Sequence, residues 1–283
     1  MELHLISFVL LLLLGLFVGG YGSMVGAGGG FVLMPILLLI YPDMAPEAVT
    51  SISLTAVFLN AVSGSIAYAR MKRIHYRSGI IFALATVPGA VFGVTATSLV
   101  DRHLFELLFG VFMLAMSLFL FVKPSGGKPS ASLPAQPQER SETTAGPLPE
   151  SSDSNLVNSL PCRCVLGGGA SVIVGFLSSF LGIGGGIMHV PIMVYVLEFP
   201  VHLATATSQF ILMITSLTGV STHLVGGTLL EGITYTIPIC IGIVFGAQLG
   251  ARLSRRMHGA WIVRSLAFAL GAAGVRFVLG AVS

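Results

Sequence analysis

Two glycine-rich decapeptides carry the strongest chemical signal in this chain, GAGGGFVLMP (Gly26 to Pro35) and GIGGGIMHVP (Gly182 to Pro191), which match at an offset of 156. A glycine costs about 1 kcal/mol relative to alanine in a helix interior. Runs such as Gly28, Gly29, Gly30 and Gly184, Gly185, Gly186 therefore break a helix, and each is followed by a short apolar segment. Inside a bilayer, broken backbone is tolerated only where protein or a water-filled cavity satisfies its N–H and C=O groups. A half-helix starting at such a break points the positive end of its dipole, and its first N–H groups, into the middle of the membrane. That end attracts an anion, and two of them brought together by a repeat would make one anion site with no buried lysine or arginine.

Polar side chains follow both decapeptides. Thr50, Ser53, Asn60 and Ser63 lie in the first half, and Thr205, Thr207, Ser208, Gln209, Thr215 and Thr218 in the second. Polar groups are expensive in a membrane interior and mark pathways there. A single Ser or Thr more often bonds back to its own helix carbonyl; the repeated pairs Thr50/Thr205 and Ser53/Ser208 are read as neutral donors to an oxyanion. His189 is the only ionisable residue in either short apolar segment and has Leu33 as its counterpart, so it could carry a coupled proton or be structural. Ser179 and His189 could be pictured as a hydrolase pair, but no carboxylate or second histidine orients them. The reading is of a non-enzyme.

These residues need a membrane scaffold, and the composition supplies it. Of 283 residues, 9% are charged and 54% hydrophobic, against roughly 25% charged in soluble domains. A soluble enzyme is excluded, and so is a nucleic-acid binder, because the 14 Lys and Arg form no stripe on a polar domain. The three cysteines make neither a disulfide framework nor a metal-ligand spacing, and there is no GxxxxGK[ST] loop. No metal and no cofactor is expected.

Ten apolar stretches fall into two sets of five. They are Leu5–Gly22, Phe31–Ile40, Ala48–Ala69, Gly79–Val100 and Phe105–Val122, then Val165–Leu181, Ile187–Leu197, Leu203–Val225, Ile233–Leu253 and Trp261–Leu279. Crossing the ~30 Å hydrocarbon layer takes roughly 20 residues, so Phe31–Ile40 and Ile187–Leu197 should reach only part way. Residues 123–160, with six of the 14 prolines and mixed charges, read as a flexible aqueous linker. Basic clusters at Arg70, Lys72, Arg73, Arg77 and at Arg252, Arg255, Arg256 mark the cytoplasmic side. Five elements per half then leave equivalent loops on opposite faces, the signature of an inverted repeat. Further matches extend it, Gly19 with Gly175, Ser23 with Ser179, Ser63-Gly64 with Thr218-Gly219, and the VFG at Val91 with the VFG at Val244. The expected architecture is all-α and integral to the membrane, with a first repeat at 1–122, a cytoplasmic linker at 123–160 and a second repeat at 161–283.

The duplicated GxGGGxxxxP segments, each followed by a Thr/Ser-bearing span and a basic loop, resemble the sulfite exporter TauE/SafE family, also called the toluene sulfonate uptake permeases. The resemblance covers nearly the whole chain except the linker. It implies a secondary transporter of small sulfur-containing oxyanions such as sulfite, sulfoacetate or related organosulfonates, multi-pass in the cell inner (plasma) membrane. The substrate-binding set on this reading is Gly26, Gly28, Gly29, Gly30, Thr50, Ser53, Gly182, Gly184, Gly185, Gly186, His189, Thr205, Ser208 and Gln209. Alternating access with proton coupling is expected; an anion channel, or a carrier of another small organic anion, is the alternative. The expected partners are a small anionic substrate and membrane lipid, with no nucleic acid, and a homo-oligomer is left open.

Overall fold

The computed structural model describes residues 2–122, 160–195, 199–228, 233–254 and 259–282. The expected linker lies outside them but for Leu160, the first residue of a helix. The described residues form ten helices, one for each expected stretch. They are α1 (Glu2–Val25), α2 (Gly30–Ile40), α3 (Pro46–Arg70), α4 (Tyr76–Thr97) and α5 (Arg102–Val122), followed by α6 (Leu160–Phe180), α7 (Gly186–Tyr195), α8 (Val201–Val225), α9 (Ile233–Leu253) and α10 (Gly259–Val282).

Six of them, α1, α3, α4, α5, α8 and α9, are long and apolar enough to cross a membrane. The broken ones behave as their sequences require. With 11 and 10 residues, α2 and α7 rise about 16 Å and 15 Å at 1.5 Å per residue, half of the hydrocarbon layer. Each starts at the end of a glycine run. Starts elsewhere are equally legible: Pro46 opens α3 with Glu47 in its first turn, a fixed φ and a favourable charge at the positive dipole end, and Pro200 precedes α8.

The helices pair across the two halves. α1 lies along α9, α4 along α6, α3 along α8, and α5 along α10; α3 also meets α9, and α8 meets α4. Exchange of the halves, α1 for α6 and so on in order, turns this set of pairings into itself. The longest side-by-side contacts are made by glycines at which one helix meets the backbone of another. A Cβ at Gly89 would meet the Val172 carbonyl and one at Gly93 the Phe176 carbonyl; correspondingly, Gly246 faces the Leu16 carbonyl and Gly250 the Gly20 carbonyl.

That correspondence corrects the sequence alignment of α4 with α9. The two VFG triplets are not equivalent; GAVFG at 89–93 occupies the place of GAQLG at 246–250, one helical turn away. Closeness of backbones fixes the register through the glycines, while the flanking Val and Phe stand outward, Val91, Phe92, Val244 and Phe245 all being exposed on the helix surface, and are free to drift.

The interior is polar as well as apolar at its centre. α3 buries Thr50, Ser51, Ser53, Asn60, Ser63 and Ser65, and α8 buries Thr205, Thr207, Ser208, Gln209, Thr215 and Ser216. Large apolar side chains on α4, α5 and α9 such as Phe92, Phe121 and Phe245 stay exposed, as lipid-facing surfaces require.

Candidate functional site

Each glycine turn is a wound backbone loop. Gly26, Gly28 and Gly29 take φ of 82°, 79° and 79°, and Gly182 and Gly184 take 66° and 67°. These are left-handed values that a Cβ disfavours. The Gly22 carbonyl accepts the N–H groups of Gly26, Ala27 and Gly28 at 2.9, 3.0 and 3.2 Å, and the Ser178 carbonyl accepts those of Ile183 and Gly184 at 3.1 and 3.4 Å. The turns therefore consume part of the donor supply that the sequence leaves free. Among the described residues no acceptor is found for the N–H groups of Gly30 and Phe31, which open α2, as the first N–H groups of any helix lack an internal partner.

The two turns meet. A Cβ at Gly30 would stand 2.6 Å from the Ile183 carbonyl oxygen, and one at Gly186 2.5 Å from the Gly26 carbonyl oxygen. Val57 of α3 and Leu212 of α8 both lie over Gly28 and Gly184, so the crossing is closed by one apolar side chain from each half.

Serines of each half tie down the turn of the other. Ser53 Oγ donates to the Gly182 carbonyl at 2.5 Å, and Ser208 Oγ donates to the Gly26 carbonyl at 3.0 Å. Thr50 and Thr205 follow the same exchange: a Cβ at Gly182 would lie 2.6 Å from Thr50 Cγ2, and one at Gly26 2.7 Å from Thr205 Cγ2. The sequence-derived glycines, Thr50, Ser53, Thr205 and Ser208 are thus brought together. The hydroxyl hydrogens of Ser53 and Ser208 are engaged with turn carbonyls, however, and Thr50 donates back to Pro46 of its own helix.

The halves then diverge. His189 points Nδ1 at its own Gly185 carbonyl, 2.8 Å away, and its Nε2 is buried with no hydrogen-bond partner among the described residues. Gln209 donates from Nε2 to the Gly22 carbonyl at 3.4 Å and leaves Oε1 buried and unpartnered. Thr205 Oγ1, Ser23 Oγ, Ser178 Oγ, Ser179 Oγ and both amide atoms of Asn60 are in the same state. Buried polar atoms are nearly always paired, so a group of them beside broken helices points to something that comes and goes. Sequence reading missed Ser23 and Ser178 as site candidates, and Ser23 was visible only as a repeat match. Among the described residues no group of three or more His, Cys, Asp or Glu could hold a metal ion.

The sequence model of the family described as sulfite exporter TauE/SafE matches residues 11–277. The chain belongs to that family and is a multi-pass membrane transporter. It is 30% identical over 279 residues to a probable membrane transporter protein, YunE, of Bacillus subtilis, with 96% of this chain and 97% of that protein covered. Over 285 residues it is 28% identical to a probable membrane transporter protein of Methanocaldococcus jannaschii, covering 95% of each. A probable membrane transporter protein of Xylella fastidiosa is 26% identical over 239 residues, 83% of this chain and 80% of its own. No solved structure matches the chain.

Proposed function

We propose that the chain carries small sulfur-containing oxyanions, sulfite, sulfoacetate or related organosulfonates, across the inner (plasma) membrane by alternating access coupled to protons. The observation that carries this reading is the meeting of two glycine turns, each opening a half-length helix and each tied down by the opposite half. Helix N-termini at mid-depth favour an anion without a fixed cation. The sequence has no Lys or Arg before Arg70 and none between Arg163 and Arg252. The description of the matched family, sulfite exporter, supports sulfur oxyanions as the substrate class.

In this mechanism the two halves, lying in opposite orientations as the basic loops 70–77 and 252–256 indicate, rock against each other about the crossing of the turns. The turn glycines hold the left-handed backbone that aims α2 and α7 at the anion. The serines keep each turn attached to the moving half opposite, and His189, with Nε2 unengaged, takes and releases the proton.

The test is uptake of radiolabelled sulfite and 2-hydroxyethanesulfonate into proteoliposomes, with and without a pH gradient, for the natural protein and His189→Leu. Leucine is the residue at the equivalent position, Leu33, so it fits a half-helix of this kind. Uptake accelerated by the gradient in the natural protein and indifferent to it in His189→Leu is expected. Movement of neither anion would refute the substrate class, and an unchanged gradient response in the variant would refute the role of His189.

A further inference from the structure

The unpartnered polar atoms differ in kind about the two turns. Ser23, at the end of α1, and Gln209, on α8, close on Gly64 of α3 from two sides. A Cβ at Gly64 would lie 2.9 Å from Ser23 Oγ and 3.3 and 3.4 Å from Cδ and Oε1 of Gln209. Asn60 sits one helical turn before Gly64 on the same face of α3, and Val57, on that face again, touches Gly28 and Gly184. Asn60 thus occupies the stretch of α3 between the crossing of the turns and the Ser23–Gln209 pair. All three side chains are fully buried, and Ser23 Oγ, Gln209 Oε1 and both amide atoms of Asn60 have no hydrogen-bond partner among the described residues.

Exchanging the halves shows what is particular to this side. Gly64 corresponds to Gly219 and Ser23 to Ser179, but the place of Gln209 is taken by Leu54, whose Cδ1 is 2.9 Å from a Cβ at Gly219. The place of Asn60 is taken by Thr215, whose hydroxyl is engaged with Thr86 Oγ1 at 2.6 Å and with its own helix. One side sets two amides with unpartnered atoms beside its serine; the other keeps the unpartnered Ser179 hydroxyl but has apolar Leu54 and the engaged Thr215 in the places of the amides.

We propose that the transported anion seats off-centre, beside the first glycine turn, on Ser23, Asn60 and Gln209. The site takes a singly charged anion that carries a hydrogen-bond donor of its own, such as a hydroxyalkanesulfonate or a hydrogen-bearing oxyanion. This assignment rests on the anion-carrier reading above and makes it specific.

The chemistry follows from the side chains. Ser23 offers a hydroxyl hydrogen, Asn60 two amide hydrogens, and Gln209 the amide hydrogen not given to Gly22; these answer the anionic oxygens. The carbonyl oxygens of Asn60 and Gln209 can only accept. Facing a bare oxyanion they would repel it, whereas a donor on the ligand satisfies them. An unsatisfied buried acceptor costs more than a made bond gains, so the analogue lacking the donor is rejected. Among α1, α3 and α8 the one Lys or Arg is Arg70, at the last position of α3, and the Born cost of dehydration rises with the square of the charge, about fourfold from a monoanion to a dianion. A dianion is therefore disfavoured.

The experiment is counterflow of radiolabelled 2-hydroxyethanesulfonate in proteoliposomes of the full chain, competed by unlabelled 2-hydroxyethanesulfonate, ethanesulfonate or sulfate. The natural protein, Ser23→Ala, Gln209→Leu and a control, Thr95→Ala, at an exposed position bonded to its own helix, are compared. The natural protein should prefer the hydroxylated monoanion to ethanesulfonate about tenfold, the worth of one buried hydrogen bond, and sulfate should compete least. Gln209→Leu should abolish the preference for the hydroxyl, Ser23→Ala should weaken both sulfonates alike, and Thr95→Ala should leave both unchanged. Leucine already stands at the equivalent Leu54, so Gln209→Leu is tolerable to the fold, and a monodisperse elution profile checks it. Sulfate competing as well as the monoanion, or a hydroxyl preference surviving in Gln209→Leu, overturns the site while the carrier reading stands. Absence of counterflow for any anion in the natural protein overturns both.

Discussion

Replacement of the two exchanged serines separates a structural role from a substrate role for the residues nearest the crossing. Ser53 donates to Gly182 and Ser208 to Gly26, at 2.5 and 3.0 Å, and all four residues are buried. Ser53→Ala or Ser208→Ala removes the donor, makes no clash and strands a buried carbonyl, at a cost of about 1–3 kcal/mol each. For a chain of this size 1 kcal/mol corresponds to about 2–4 °C in Tm, so each variant should melt about 2–12 °C lower. Because the turns touch, the losses should couple: once one turn is released, the other is less well held, and the double variant departs from additivity by about 0.5 kcal/mol or more. The assay is thermal unfolding of purified protein in detergent, run beside uptake kinetics on the same preparations. A hydroxyl that ties down a turn moves the Tm and the maximal rate, while one that serves the anion raises the half-saturation concentration and leaves the Tm in place. Unchanged melting in both single variants, with weakened half-saturation, would refute the account of Ser53 and Ser208 as ties between the halves.

Two further outcomes follow from single contacts. Gly184→Ala forces alanine to φ 67° and drives its Cβ into Val57; the left-handed backbone and the overpacking together cost about 2–5 kcal/mol, so the yield of folded protein should fall steeply, and recovery to wild-type yield and Tm would refute the turn geometry. Arg102 of α5 donates from Nη1 and Nη2 to the carbonyls of Met44 and Leu38 at 2.7 and 2.8 Å, beside its ion pair with Glu106 at 2.7 Å. Arg102→Gln should free the end of α2 and the loop after it, with about 1–3 kcal/mol lost to the carbonyls and little to the part-exposed ion pair, seen as faster amide exchange confined to residues 37–45; uniform exchange would refute the tie.

The number of helices, both interruptions and the half-length of α2 and α7 were legible because each is a local property of composition. Three glycines in a row break a helix whatever surrounds them, and ten apolar residues are too short to cross. Which residues meet was less legible. That Ser53 serves Gly182 and not its own Gly26 depends on the exchange of α3 and α8 between halves, and nothing within either half signals it. The VFG match misled because it aligned side chains on a lipid-facing surface, while the glycines at 89, 93, 246 and 250 that set the register recur four residues apart with different neighbours. Gln209 was read as a site residue for its type alone. Its meaning came from Leu54 in the equivalent place and from Ser23, which lies 186 positions away in the chain yet borders the same point beside Gly64.

The pairing of α1 with α9 and of α4 with α6 has a consequence for biogenesis. A nascent chain exposes α1 with Gly15 and Gly19, which in the finished protein face the backbone of Ile239 and Ile243, before residues 26–232 have been synthesised. Neither half can finish its own packing, so the first must wait in the bilayer as loosely associated helices until the second is inserted. Truncation after α5 would then leave an insertion-competent product that stays open to degradation. The same interlocking means that two separately expressed halves should find each other, since every long helix contact that each lacks is held by the other.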